Sequence, residues 1–176
     1  MMSMKTFSKY LFISLLAASV FLSTSCKDEK LEIVEYGGKP GMYLPAFQLT
    51  DVNNELITNE AFSGKIMVVE FWASWCGYCL AEIEDLQNIH HQFQDKNIVV
   101  IGVSLDQNKN NWLDCIAKNN ISYRQLIDTN GFEAEFAKAC HIDQIPRMLL
   151  VNEKGKILKA CNSAAEIDLY LASLSL

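Results

Sequence analysis

Between Ile66 and Phe71 the chain reads Ile-Met-Val-Val-Glu-Phe, an apolar run interrupted only by Glu70. Such a run predicts a central strand covered on both faces. From Cys76 to Gln94, Leu80, Ile83, Leu86, Ile89 and Phe93 recur three or four positions apart. That period predicts an amphipathic helix. Ile98 to Leu105 reads as the next buried strand. Trp112, Leu113, Ile116 and Ala117 mark a second helix that ends near Asn119-Asn120. Ser122 to Asp128 predicts an additional strand, and Phe132 to Ala139 a short helix. Two hairpins frame this middle. Phe47–Thr50 and Glu55–Thr58 flank Asp51-Val52-Asn53-Asn54, while Arg147–Val151 and Lys156–Ala160 flank Asn152-Glu153-Lys154-Gly155. Asn59 to Ser63 reads as one helical turn closed by Gly64, and Ala165 to Leu174 as the last helix. Strands that alternate with helices pair in parallel through crossovers, and the late hairpin adds antiparallel strands at the edge. The expected class is α/β, a central mixed sheet flanked by helices, with an N-terminal β-hairpin extension.

The pattern changes before residue 26. Lys5 and Lys9 precede Tyr10 to Leu22, which is almost wholly apolar. This run is shorter than the roughly 20 residues of a membrane span and has the length of a signal-peptide core. Ser23, Thr24 and Ser25 lead directly into Cys26. The arrangement resembles a relaxed bacterial lipobox, with Leu22 four residues before the cysteine, and implies lipidation at Cys26. Lys27-Asp28-Glu29-Lys30 is a charge run, and Leu31 to Gly41, with Gly37, Gly38, Pro40 and Gly41, reads as a tether. The expected organisation is a signal peptide over 1–25, a lipidated tether over 26–41 and one domain over 42–176. Its setting is the cell envelope of a bacterium, lipid-anchored and facing the periplasm, with the outer membrane or the cell surface as further addresses. Disulfides persist there.

Composition adds exclusions. The 176 residues are 50% hydrophobic and 20% charged, which excludes a disordered or fibrous chain. A net charge of −6 leaves no basic footprint for nucleic acid.

The chemistry concentrates in Trp75-Cys76-Gly77-Tyr78-Cys79, between a predicted buried strand and a predicted helix. A cysteine at a helix N-terminus faces unpaired N–H groups, which stabilise its thiolate. The second cysteine lies one turn further in. This predicts an exposed, attacking Cys76 and a shielded, resolving Cys79.

Val68-Val69-Glu70-Phe71-Trp72-Ala73-Ser74-Trp75-Cys76-Gly77-Tyr78-Cys79, Ile145-Pro146 with Met148-Leu149-Leu150-Val151, and Leu44-Pro45-Ala46-Phe47-Gln48-Leu49-Thr50-Asp51 together resemble the thioredoxin superfamily. They are most similar to its extracytoplasmic TlpA/ResA-like branch, over about Leu44 to Leu176. The resemblance implies a thioredoxin-like fold and a thiol-disulfide oxidoreductase. It implies that Pro146 is cis and packs beside Cys76, and that the backbone at Ile145 pairs with a substrate chain. Trp75, Gly77 and Tyr78 complete the substrate-facing set. It also implies that Glu70 accepts the proton of the resolving cysteine and that Glu82 tunes the pair. Burial of Glu70 among Val68, Val69 and Phe71 would raise its pKa. A solvated helix face is the alternative for Glu82. Arg147 follows the proline and either favours the thiolate or snorkels to water.

Glu84 stands where the family often has a helix-kinking proline, which puts that kink in doubt. The chemistry uses the two thiols and needs no cofactor or metal. Expected partners are disulfide-bearing substrate proteins, a membrane electron donor and the membrane itself through the lipid, with the chain a monomer. Protein-disulfide reduction is the leading activity. Isomerase or oxidase, a thioredoxin-fold peroxidase and a metal-carrying lipoprotein are the alternatives. A peroxidase needs a proline and a threonine before its cysteine, and Phe71 to Trp75 contain neither. Copper chaperones of this fold separate their cysteines by three residues, whereas here there are two. Cys115 reads as a core residue, and Cys140 and Cys161 lie too far apart along the expected strand to pair.

Overall fold

The computed structural model describes residues 33–174, so the leader and Cys26 lie outside the described residues. Among these, β1 (Gln48–Asp51) and β2 (Leu56–Thr58) form the first hairpin, followed by a 3-10 turn at Asn59–Phe62. Then come β3 (Ile66–Trp72), α1 (Gly77–Phe93), β4 (Ile98–Ser104), α2 (Lys109–Lys118) and β5 (Arg124–Ile127). The chain ends through α3 (Glu135–Ala139), β6 (Arg147–Val151), β7 (Ile157–Cys161) and α4 (Ala164–Ser173). The strands form a sheet in the order β2-β1-β5-β4-β3-β6-β7. β3, β4 and β5 are parallel, joined by the crossover helices α1 and α2. β6 and β7 extend the sheet antiparallel on one side, and the β1–β2 hairpin extends it antiparallel on the other.

Every residue of β3 is buried, as an apolar central strand requires. Its side chains alternate between two cores. Ile66, Val68 and Trp72 pack with Ile83, Leu86, Ile89 and Phe93 of α1 and with Ile167 and Leu171 of α4. Met67, Val69 and Phe71 pack on the opposite face with Phe47, Leu49 and Phe136. The same alternation puts Glu70 on the α1 face. α1 runs as one helix past Glu84.

Two expectations are revised. The helix foreseen over Phe132–Ala139 is split: a 3-10 turn at Gly131–Glu133 ends where Ala134 turns to an extended conformation, and α3 starts beyond it. The glycine-rich segment foreseen as a tether is folded onto the domain from Glu35 onward. Tyr43 N–H donates to the Glu35 carbonyl at 2.7 Å, Gly37 N–H to the Tyr43 carbonyl at 3.0 Å, and Gly41 N–H to the Ile157 carbonyl at 2.8 Å. Gly38 lies so close to the Cys140 carbonyl that any Cβ there would collide with it. Gly38 therefore serves close packing, whereas Gly41, with φ +92 and open space around it, serves the turn of the backbone.

Candidate active site

The site forms where β3 gives way to α1. Cys76 is the N-cap of α1, and its Sγ accepts the N–H of Cys79 at 3.1 Å. Cys76 and Cys79 are joined as a disulfide with Cα atoms 5.2 Å apart. Cys79 is fully buried and Cys76 is 7% exposed. Cys79 is the more covered of the two residues, but Cys76 is itself buried where the sequence predicts an exposed cysteine. Its side chain joins the core cluster beneath α1 instead of standing free. The aromatic neighbours carry the exposure, with Trp75 at 60% and Tyr78 at 83%. Gly77 faces open space, so the surface between them is unobstructed. Trp75 also lies 6.4 Å, ring to ring, from Phe132. With Leu105, Asn108 and Asn111 these rings line an open groove of about 340 Å³ beside the cysteines.

The loop that presents Cys76 is anchored from below by a residue that pattern reading passed over. Asp106, 1% exposed, accepts the Ser74 N–H at 2.8 Å and the Ser74 hydroxyl at 2.6 Å. Its Oδ2 also accepts the Ser104 hydroxyl at 2.8 Å. A carboxylate this buried is stable only when its oxygens are satisfied, and here they are. The only sequence signal was an acid placed directly after a buried strand.

Glu70 is fully buried, and Tyr123 donates its hydroxyl to Oε2 at 3.0 Å. Burial pushes the Glu70 carboxyl up to about 8, with the hydrogen bond from Tyr123 pulling the other way and the nearby charge of Glu82 adding to the rise. Its Oε1 has no hydrogen-bond partner. Glu82 is half-buried, and its Oε2 accepts the Ala164 N–H at 2.7 Å. It is held by the backbone of α4 rather than standing on a solvated helix face, and its charge still bears on Glu70.

The Ile145–Pro146 peptide is cis. Ile145 packs against both cores, including the one that holds Cys76 and Cys79. Arg147 is half-buried and donates to Asn162 Oδ1 at 3.2 Å, tying the start of β6 to the segment after β7. Cys115, Cys140 and Cys161 are buried and unpaired. Cys140 and Cys161 belong to cores on opposite faces of the sheet, which separates them more decisively than distance along a strand. Burial raises all three thiols, that of Cys140 to about 12. They are poor nucleophiles near neutrality.

A disulfide between the first residues of a helix, a cis proline at the start of an antiparallel strand and a mixed sheet together define a thiol-disulfide oxidoreductase of thioredoxin-like fold. The chain belongs to the Redoxin family, whose profile matches residues 39–168. It is 23% identical over 152 residues to the thiol-disulfide oxidoreductase ResA of Bacillus thuringiensis subsp. konkukian, covering 85% of this chain and 82% of that protein. The thioredoxin domain of a Bacteroides vulgatus thiol-disulfide oxidoreductase superposes with a TM-score of 0.72 at 23% identity, covering 77% of this chain and 96% of that one. A thiol-disulfide oxidoreductase from Bacteroides fragilis superposes with a TM-score of 0.67 at 27% identity, covering 74% and 98%.

Proposed function

We propose that the protein reduces disulfides of substrate proteins outside the cytoplasm of a bacterium, held to a membrane through a lipid on Cys26. The observation that carries the reading is the unequal placement of the two sulfurs. Cys76 caps α1 next to exposed Trp75 and Tyr78, and Cys79 is sealed beneath it. In the reduced protein the Cys76 thiolate, stabilised by the N-terminus of α1, attacks a substrate disulfide. The substrate chain lies over Trp75, Gly77 and Tyr78 and pairs with the backbone at Ile145, beside Pro146. Glu70 takes the proton of Cys79. The Cys79 thiolate then attacks Cys76 Sγ, and the substrate leaves as a dithiol. A membrane protein carrying electrons restores the Cys76–Cys79 dithiol.

The direction follows from charge. Gly77 and Tyr78 add no cation between the cysteines, and Arg147 is engaged with Asn162. A carboxylate at Glu82 disfavours a thiolate nearby, and Glu70 does so once it has lost its proton. The reduced form is therefore only modestly stabilised, which makes the disulfide a weak oxidant. Among the described residues no helix is long and apolar enough to cross a membrane. The assignment of the anchor to Cys26 rests on the apolar run and small residues that lead into it.

Equilibration with glutathione buffers tests the direction: a potential near about −120 mV, the strongly oxidising end of the family, overturns the reductase reading. The roles of the cysteines are tested by trapping. Cys79→Ser accumulates mixed disulfides with substrate proteins and Cys76→Ser accumulates none. Mass spectrometry of the mature protein finds an acylated N-terminal Cys26; an unmodified Cys26 within a longer chain removes the anchor.

A further inference from the structure

Glu70 is paired with Gly102 of β4, and Gly102 with Gln125 of β5. Paired residues of neighbouring strands point to the same face, so the three lie in one row beneath α1. Gly102 leaves a gap in that row. A Cβ there would collide with the Gln125 carboxamide, which fills the gap and accepts the Trp72 indole N–H at 3.0 Å. Tyr123, in the bend just before β5, packs into the same core beneath α1. It is 3% exposed, and its hydroxyl ends on Glu70 Oε2. The other carboxyl oxygen, Oε1, is buried without a partner.

We propose that Tyr123 is a positioning residue for disulfide exchange: by donating to Oε2 of Glu70, it leaves Oε1 as the oxygen that receives the proton of Cys79. The proposal rests on the reading of Glu70 as proton acceptor given above. In the step it serves, the Cys79 S–H bond breaks and an O–H bond forms at Oε1. The Cys79 thiolate forms a bond to Cys76 Sγ, and the bond from Cys76 to the substrate sulfur breaks. That sulfur leaves with the electron pair.

Tyr123 also sets the proton affinity of Glu70, because a donor to the carboxylate favours its charged form. Several other groups bear on the same carboxyl. Glu82 of α1 faces it and raises its pKa. The cysteine pair of α1 caps the same core. Its strand neighbours Gly102 and Met148 do not titrate. Behind Tyr123 lie His90 of α1, 6.4 Å ring to ring, and the Cys115 thiol of α2.

The test is the single-turnover reaction of the reduced full-length mature protein with 5,5′-dithiobis(2-nitrobenzoate) from pH 5 to pH 10. A first release of thionitrobenzoate reports Cys76, and a second, concentration-independent release reports attack by Cys79. Tyr123→Phe keeps the buried ring and removes the donor. It is expected to slow the second release about tenfold at pH 7 and to move the midpoint of the pH profile up by about one pH unit, the same factor in proton affinity. Glu70→Gln abolishes that midpoint, and the double variant behaves as Glu70→Gln alone. Site-specific 3-fluorotyrosine at position 123, a stronger donor, moves the midpoint down and stands in if the phenylalanine variant fails to fold. If Glu70→Gln slows the second release but neither Tyr123 variant moves the midpoint, Tyr123 has no positioning role. A double variant slower than Glu70→Gln rules that role out as well. If Glu70→Gln itself retains the wild-type rate and profile, the reading of Glu70 fails, and this proposal with it.

Discussion

The carboxylate of Glu82, one turn beyond the resolving cysteine, accepts the backbone N–H of Ala164 at 2.7 Å and so caps α4 from 82 residues away. Ser163, the local N-cap, makes no side-chain capping bond. The active-site helix and the last helix are therefore joined by one polar contact as well as by their apolar faces. The same side chain raises the Glu70 pKa through its charge.

The two roles of Glu82 separate by substitution. Glu82→Gln keeps an oxygen for Ala164 and removes the charge, so it preserves stability and lowers the Glu70 pKa from about 8. Glu82→Ala removes both, and costs about 1 kcal/mol of unfolding free energy, the usual value of a lost cap. Urea unfolding and a carboxyl-band infrared titration read the two effects. Equal stability of the alanine variant and wild type would show that the cap contributes nothing.

Glu70 makes the oxidised protein less stable as pH rises. Its folded pKa, about 8, lies above the ordinary 4.5 of the unfolded chain. Between these values the native state holds a proton that the unfolded chain has released. The stabilisation linked to this proton is complete below about pH 4.5 and lost as pH climbs through 8. Glu70→Gln carries no such proton. It is expected to gain stability relative to wild type as pH goes from 5 to 9, by denaturant unfolding at each pH. A constant difference between the two across that range would contradict a raised carboxyl.

Asp106 anchors the loop that presents Cys76. Asp106→Ala leaves buried Ser104 and half-buried Ser74 without their acceptor. The expected loss is about 3 kcal/mol, in the range for a buried charged group that accepts several hydrogen bonds. Because the loop runs directly into the Cys76 N-cap, amide exchange at Ser74, Trp75 and Cys76 should quicken more than exchange in β6. Uniform quickening throughout the sheet would mark a global destabilisation instead.

The local pattern determined much of this protein. The apolar run at β3, the three-and-four spacing of α1 and the Asp/Asn and Asn/Gly turns of the two hairpins are contained within short windows, because backbone period and turn geometry are local properties. The cysteine pair at the strand-to-helix junction was legible for the same reason, and the match at Ile145-Pro146 pointed to the cis peptide. Tertiary structure alone decided the rest. Whether Tyr123 reaches Glu70 depends on the register of β3, β4 and β5 and on the gap at Gly102, and a shift of one residue would turn those side chains to the other face. Whether Glu82 meets solvent or Ala164 depends on how α4 packs against α1. Whether the stretch from Glu35 to Tyr43 hangs free or docks depends on the Ile157 backbone, more than a hundred residues on, which exchanges hydrogen bonds with Gly41 and Met42, and on the room that Gly38 leaves for the Cys140 carbonyl. A buried polar group must find its partner across the fold, and that partner is chosen by strand order and packing rather than by neighbours in sequence.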